Sequence, residues 1–129
     1  MLAGNDWGVA RYELGEWFVA RDDGEIVGVA HATDVDDETR YVDDLVVVGA
    51  RRGRGIGADL MRHVMADRAA HVYLVCHEPR IAFYERLGFE LVEESAIPEG
   101  VRDHAYRTDD LPSVPDHVHH LMRRVEASR

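Results

Sequence analysis

The stretch from Asp43 to Leu60, DDLVVVGARRGRGIGADL, limits the possible folds more than any other part of the chain. A short apolar strand, Leu45 to Val48, runs into a turn and then into Arg-x-x-Gly-x-Gly, written by Arg52, Gly55 and Gly57, where a helix opens. Glycines let main chain approach a ligand without side-chain obstruction. The amides at such a helix start, with a dipole of about half a positive charge, form an anion-binding concavity. The stretch predicts a strand, a cradle and a helix arranged to hold a pyrophosphate.

Composition and context separate the phosphate-binding motifs. All fifteen basic residues are arginine, so the lysine of a P-loop is absent and that motif is excluded. Gly53, Gly55 and Ala58 satisfy the letters of a dinucleotide fingerprint. That fingerprint belongs to the first strand of a parallel unit, with an acidic residue about 20 positions on. Here strands of antiparallel character precede it, and the next strand, HVYLVC, meets no acid until Glu78. A plain glycine turn that packs helix against sheet stays open at this point.

The rest of the chain reads as one domain of mixed α+β class. Trp7, Val9 and Tyr12 suggest a short strand. Trp17 to Val19, the Asp23-Gly24 turn and Ile26 to Ala32 read as a β-hairpin. Asp34 to Thr39 reads as a polar loop lacking the glycine and distal glutamate of a calcium site, so no metal is expected there. Tyr41 to Val48 is the third strand, and Leu60, Met61, Val64 and Met65 form the apolar stripe of the following helix. After the strand His71 to Cys76, Pro79 opens a helix carrying Ile81, Phe83, Tyr84 and Leu87 that stops at Gly88. Phe89 to Glu93 and Arg102 to Thr108 read as paired strands. Ser113-x-x-Asp116 reads as the capping box of a C-terminal helix, 113–127, bearing Val114, Val118, Leu121, Met122 and Val125. His117 and His120 share a face of that helix without a third ligand, so exposed histidines are expected rather than a metal site.

The net charge of −10 disfavours nucleic acid and leans toward cationic partners. No apolar run reaches the ~18 residues of a membrane span. The single cysteine, Cys76, permits no internal disulfide, and a cytoplasmic setting is the expectation. Cys76 reads as a small buried strand residue rather than a nucleophile.

A second segment resolves the glycine motif. Residues 80–89 read RIAFYERLGF. Together, Asp44-Leu45-Val46-Val47 leading to Arg52 and the glycines, and Tyr84-Glu85-Arg86-Leu87-Gly88-Phe89, closely resemble the GNAT acyltransferase superfamily, over roughly Trp17 to Thr108. The resemblance implies that acetyl-CoA is the co-substrate. Its pyrophosphate would lie on the amides of Arg52, Gly53, Arg54, Gly55, Ile56, Gly57 and Ala58. Its pantetheine arm would pair with main chain of Val46, Val47 and Val48. Tyr84 holds the position of the family's general acid, and a phenol keeps its proton at neutral pH. The acceptor amine must lose a proton, and Asp43, Asp44, His77 and Glu78 are candidate bases. Strand alternation puts Asp43 and Asp44 on opposite faces.

Two features depart from the family pattern. His77 stands where the family often has asparagine, and it serves either as a base or as a pantetheine anchor. The strand and two helices that normally precede the hairpin have only fifteen residues in which to fit. The apolar face of the C-terminal helix, or a second subunit in a homodimer, is expected to cover the acceptor side. The implied activity is transfer of an acetyl group to a small-molecule or peptide amine. The alternative is a non-catalytic acyl-CoA-binding module.

Overall fold

The computed structural model describes residues 8–12, 16–66, 70–116 and 118–125. Seven strands and three helices form there. The strands are β1 (Gly8–Tyr12), β2 (Trp17–Asp22), β3 (Glu25–Asp36), β4 (Thr39–Val47), β5 (His71–Cys76), β6 (Glu90–Leu91) and β7 (His120–Val125). The helices are α1 (Ile56–Ala66), α2 (Ile81–Arg86) and α3 (Glu99–Arg107). The strands make one mixed sheet in the order β1-β2-β3-β4-β5-β7-β6. Neighbouring β4 and β5 are joined through α1, the kind of crossover a parallel pair requires. The α+β class expected from sequence is the class observed. No helix among the described residues is long and apolar enough to cross a membrane.

Two compact units contain these elements, one with the described residues up to Thr33 and 42–66, the other with 34–41 and 70–125. In the first, β2 and β3 turn at Asp23 and Gly24, whose φ values of 53° and 86° suit the right-handed twist of a two-residue hairpin loop. Ala20 lies opposite Gly28 across β2 and β3. A Cβ on Gly28 would sit 3.0 Å from Ile56 Cγ2, 3.1 Å from Leu60 Cδ1 and 3.3 Å from the Val46 carbonyl oxygen. The missing side chain lets α1 settle onto the sheet, burying Ile56, Leu60, Met61 and Val64 completely or nearly so. Gly28 escapes sequence reasoning because a strand interior masks it; an isolated glycine in a β-pattern was the available signal.

In the second unit, β7 runs antiparallel to both β5 and β6, with Cys76 opposite His120 and Leu91 opposite Met122. Tyr41, Tyr73, Ile97, Val101, Ala105, Leu111 and Leu121 form its core. The Tyr41 hydroxyl donates to Asp110 at 2.6 Å. Arg40, fully buried, meets Asp34 at 2.8 Å, so its charge is taken from water with a carboxylate beside it.

Four expectations are corrected here. The C-terminal helix is instead β7, with residues 126 and 127 outside the described set. Val114 and Val118, placed on its apolar face, are exposed, whereas adjacent Leu121 and Met122 are both buried, as a strand covered on two faces demands. Ser113 Oγ accepts from the His119 amide rather than capping a first helical turn. The idea that this helix covers an acceptor cleft falls with it. The strand expected at Arg102 to Thr108 is α3, because Val101 and Ala105, four residues apart, turn one face into the core. The short strand suggested by Val9 and Tyr12 forms as β1, giving four strands before the glycine segment, with Trp7 outside the described residues, whereas Asp34 to Thr39 is mostly strand, turning only at Asp37 and Glu38.

Candidate active site

The cradle belongs to the first unit. After β4 the chain makes a 3-10 turn over Gly49–Arg51, extends at Arg52 and enters α1 at Ile56. Gly53 and Gly55 have φ of 82° and 91°, and no heavy atom lies within 4 Å of a Cβ built on either. These glycines are required by backbone conformation, not by packing, and the space over them is open. The Asp59 amide donates to Gly55 O at 3.0 Å, which makes Gly55 the residue before the first helical turn. The amides of Ile56, Gly57 and Ala58 therefore start the helix without intrahelical acceptors. Residues present thus fit an anionic pyrophosphate.

Arginines brace this loop from its rim. Arg51 pairs with Asp22 and approaches Glu25 at 3.9 Å, tying the loop to the β2–β3 hairpin. Arg52 Nε donates to the Val47 carbonyl at 3.3 Å, and Arg54 is exposed. The Val48 amide donates to Val27 O at 2.9 Å, and its carbonyl accepts from the Arg51 amide at 2.8 Å. Val48 is thus bonded through its main chain within this unit, and its side chain is half-exposed.

The candidate bases on β4 differ in surroundings. Asp44 is exposed. Asp43 is 10% exposed, and its Oδ2 accepts from Thr33 Oγ1 at 2.6 Å and lies 3.0 Å from His31 Nδ1. The His31 ring stacks obliquely on Trp17, with centroids 4.5 Å apart. Sequence reasoning found Asp43 but missed His31 and Trp17, since residues on three strands meet only once β-pairing places Trp17 opposite His31.

In the second unit, Tyr84 sits on α2, held by the way the helix ends. The Phe89 amide bonds Tyr84 O at 3.1 Å, and the Gly88 amide bonds Glu85 O at 3.0 Å. With Gly88 at φ 96°, this is a Schellman motif. Its characteristic apolar contact is the edge-on packing of Phe89 against Tyr84, centroids 5.7 Å apart, with Phe83 on Tyr84 at 5.0 Å. Arg124 Nε donates to Leu87 O at 3.2 Å, through space that a side chain on Gly88 would crowd at 3.1 Å. Burial pushes the Tyr84 phenol up to about 12, with the Cys76 thiol adding to the rise and Arg80 opposing it. The phenol therefore stays protonated across the neutral range and is available as a proton donor. Burial also raises Cys76, to about 11, and its thiol contacts Met122 Sδ at 3.7 Å, which describes a packed residue rather than a nucleophile.

His77 is exposed just after β5, its ring 4.9 Å from that of His119. Glu78 is exposed at the start of a 3-10 turn, Glu78–Arg80, ahead of α2. His119 Nδ1 lies against the Asp110 carbonyl, and His117 is outside the described residues. Among the described residues, no three His, Cys, Asp or Glu side chains gather as metal ligands do.

Comparison with known proteins agrees with this geometry. The Acetyltransferase (GNAT) domain family matches residues 13–91, well over half of the chain. N-acetylglutamate synthase from Neisseria gonorrhoeae, solved with coenzyme A and N-acetyl-glutamate, superposes with a TM-score of 0.69 at 20% identity over 87% of this chain. This chain spans 26% of that protein's length. A GNAT family acetyltransferase from Elizabethkingia anophelis with acetyl-CoA bound gives 0.69 at 13% identity, covering 94% of this chain and 99% of that one. Rv2747 from Mycobacterium tuberculosis, in complex with CoA and NLQ, gives 0.64 at 21% identity, covering 86% and 76%. Such identities carry likeness of fold. A search of the curated proteins found no match. Seven mixed strands, the glycine cradle, the capped tyrosine helix and the family match converge: the chain belongs to the GNAT acetyltransferase family.

Proposed function

We propose that the chain is an N-acyltransferase that moves an acetyl group from acetyl-CoA to an amine by direct attack on the thioester. The observation that carries this reading is the cradle: two left-handed glycines beneath open space, leading into the free first-turn amides of an eleven-residue helix. Arg52 to Ala58 would hold the pyrophosphate through main-chain amides and the helix dipole. Main chain of Val46, Val47 and Val48 would pair with the pantetheine arm as an added strand does. The thioester supplies an activated acyl carbon.

The side chains of this protein do the proton work. The Tyr84 phenol gives its proton to the departing sulfur, and its elevated affinity for that proton means that it must be reloaded as it gives way. The net charge of −10 favours a cationic acceptor over an anionic one, through its field rather than through any single contact. The test is incubation with acetyl-CoA and a panel of amines and lysine-bearing peptides while free thiol is followed. Acceptor-dependent thiol release is the expected result. Tight CoA binding with no release on any acceptor would replace this function with that of a binding module.

A further inference from the structure

We infer that His31, aligned by Asp43, is the base that takes the proton from the acceptor amine; this rests on the acyl-transfer function proposed above. Asp43 Oδ2 is engaged by Thr33 at 2.6 Å and faces His31 Nδ1 at 3.0 Å. A carboxylate in that position holds the proton on Nδ1 and turns Nε2, with its lone pair, outward. The His31 side chain is 26% exposed while Asp43 is 10% exposed, so the ring, not the carboxylate, is the part that solvent and substrate can reach. Trp17, 39% exposed, flanks the ring and supplies an aromatic face of the kind that attracts an ammonium group. Asp43 lies four residues before Val47 on β4, roughly 13 Å along a strand, in the direction in which a pantetheine arm pairing with Val46 and Val47 leaves the cradle.

Asp43 alone is a poorer base in this setting. Its Oδ2 is already engaged by Thr33 Oγ1 at 2.6 Å and faces His31 Nδ1 at 3.0 Å, and its side chain is only 10% exposed. An imidazole can accept a proton near neutrality and return it to water. In the step proposed, His31 Nε2 takes one proton from the acceptor ammonium. The freed nitrogen lone pair forms the C–N bond as the C–S bond breaks. The sulfur gains one proton, the nitrogen gives up its second, and His31 releases its own to water. One proton is set free for each acetyl group moved. Asp43 and Thr33 are positioning residues.

The test compares acceptors that need a base with acceptors that do not. The wild-type chain and His31→Gln are assayed with acetyl-CoA and either propylamine or tyramine, protonated at neutral pH, or aniline, which is not. The ratio of alkylamine to arylamine kcat/KM is expected to fall about 100-fold in His31→Gln, the scale of a lost general base. Asp43→Asn is expected to lower the same ratio about tenfold. Long-range 1H–15N spectra of the wild type, without substrate, are expected to show neutral His31 with its proton on Nδ1, a preference that Asp43→Asn weakens. An unchanged ratio in folded His31→Gln, or a proton on Nε2, overturns the inference and leaves acyl transfer standing. If wild type turns over no amine while binding CoA, acyl transfer itself fails and the base assignment goes with it.

Discussion

The cradle ahead of α1 and the tyrosine on α2 solve two different problems with left-handed glycines. At Gly53 and Gly55 the positive φ values occur beneath open space, so backbone is what is left bare there. At Gly88 the positive φ closes a helix, and Phe89 then packs on Tyr84, so the glycine positions a side chain one turn away. A site that works through amides must be kept bare, whereas one that works through a phenol must be packed. Substitutions should therefore fail differently: in the cradle they should remove binding, and at α2 they should remove turnover.

The largest expected effect is in the cradle. Gly55→Asp combines left-handed strain of about 1–2 kcal/mol with a negative charge in an anion site. It should weaken CoA binding by about 100-fold or more, nearly 3 kcal/mol, while thermal unfolding falls only by the several degrees that this strain accounts for; calorimetric titration measures the binding. Retained binding would remove the pyrophosphate assignment. Next comes Tyr84→Phe, which keeps the ring packing and loses the proton. It should lower kcat about 100-fold with CoA affinity intact. A parallel loss of affinity would collapse the distinction between the two regions.

Gly28→Ala probes whether cradle geometry depends on the seating of α1. A methyl group there meets Ile56 and Leu60 near 3 Å and the Val46 carbonyl at 3.3 Å. Overpacking should cost about 1–3 kcal/mol in urea unfolding, with CoA affinity falling less than in Gly55→Asp. The smallest effect is spectroscopic. Because the folded Tyr84 phenol is raised to about 12 from 10.0, it stays protonated where an unfolded phenol ionises. Its contribution to stability is complete below pH 10 and lost as pH rises through 12. Absorbance titration of tyrosinate should show a late-ionising component that Tyr84→Phe reduces, the remainder including Tyr106, whose phenol is raised by its hydrogen bond to Glu94, and no loss of activity from Tyr84 between pH 7 and 10.

Both glycine regions were legible in the linear sequence because their signals are local. A strand, Arg-x-x-Gly-x-Gly and a helix stripe report a cradle within eighteen residues, and Leu87-Gly88-Phe89 reports a helix stop. The hairpin at Asp23-Gly24 and the strand His71–Cys76 were readable for the same reason. The last third of the chain was not. Val114, Val118, Leu121 and Val125 have spacing that suits a helix, yet the backbone hydrogen bonds offered by β5 and β6 draw residues 120–125 into a strand. Helical α3 was hidden in turn by a glycine, a valine and a tyrosine that favour other states, and its stability comes from Val101 and Ala105 entering the core around Tyr41 and Tyr73.

The sequence by itself therefore determined the family, the cradle and the tyrosine, since each is written in neighbouring residues whose backbone preferences need no distant partner. Tertiary structure decided which acidic residue on β4 is tied down, and by what. Asp43 is linked to His31 and Thr33, and Trp17 is set beside His31, only through the pairing of strands that are separate in sequence. Such pairing depends on hydrogen bonds and burial across the sheet, which no local run of residues can specify.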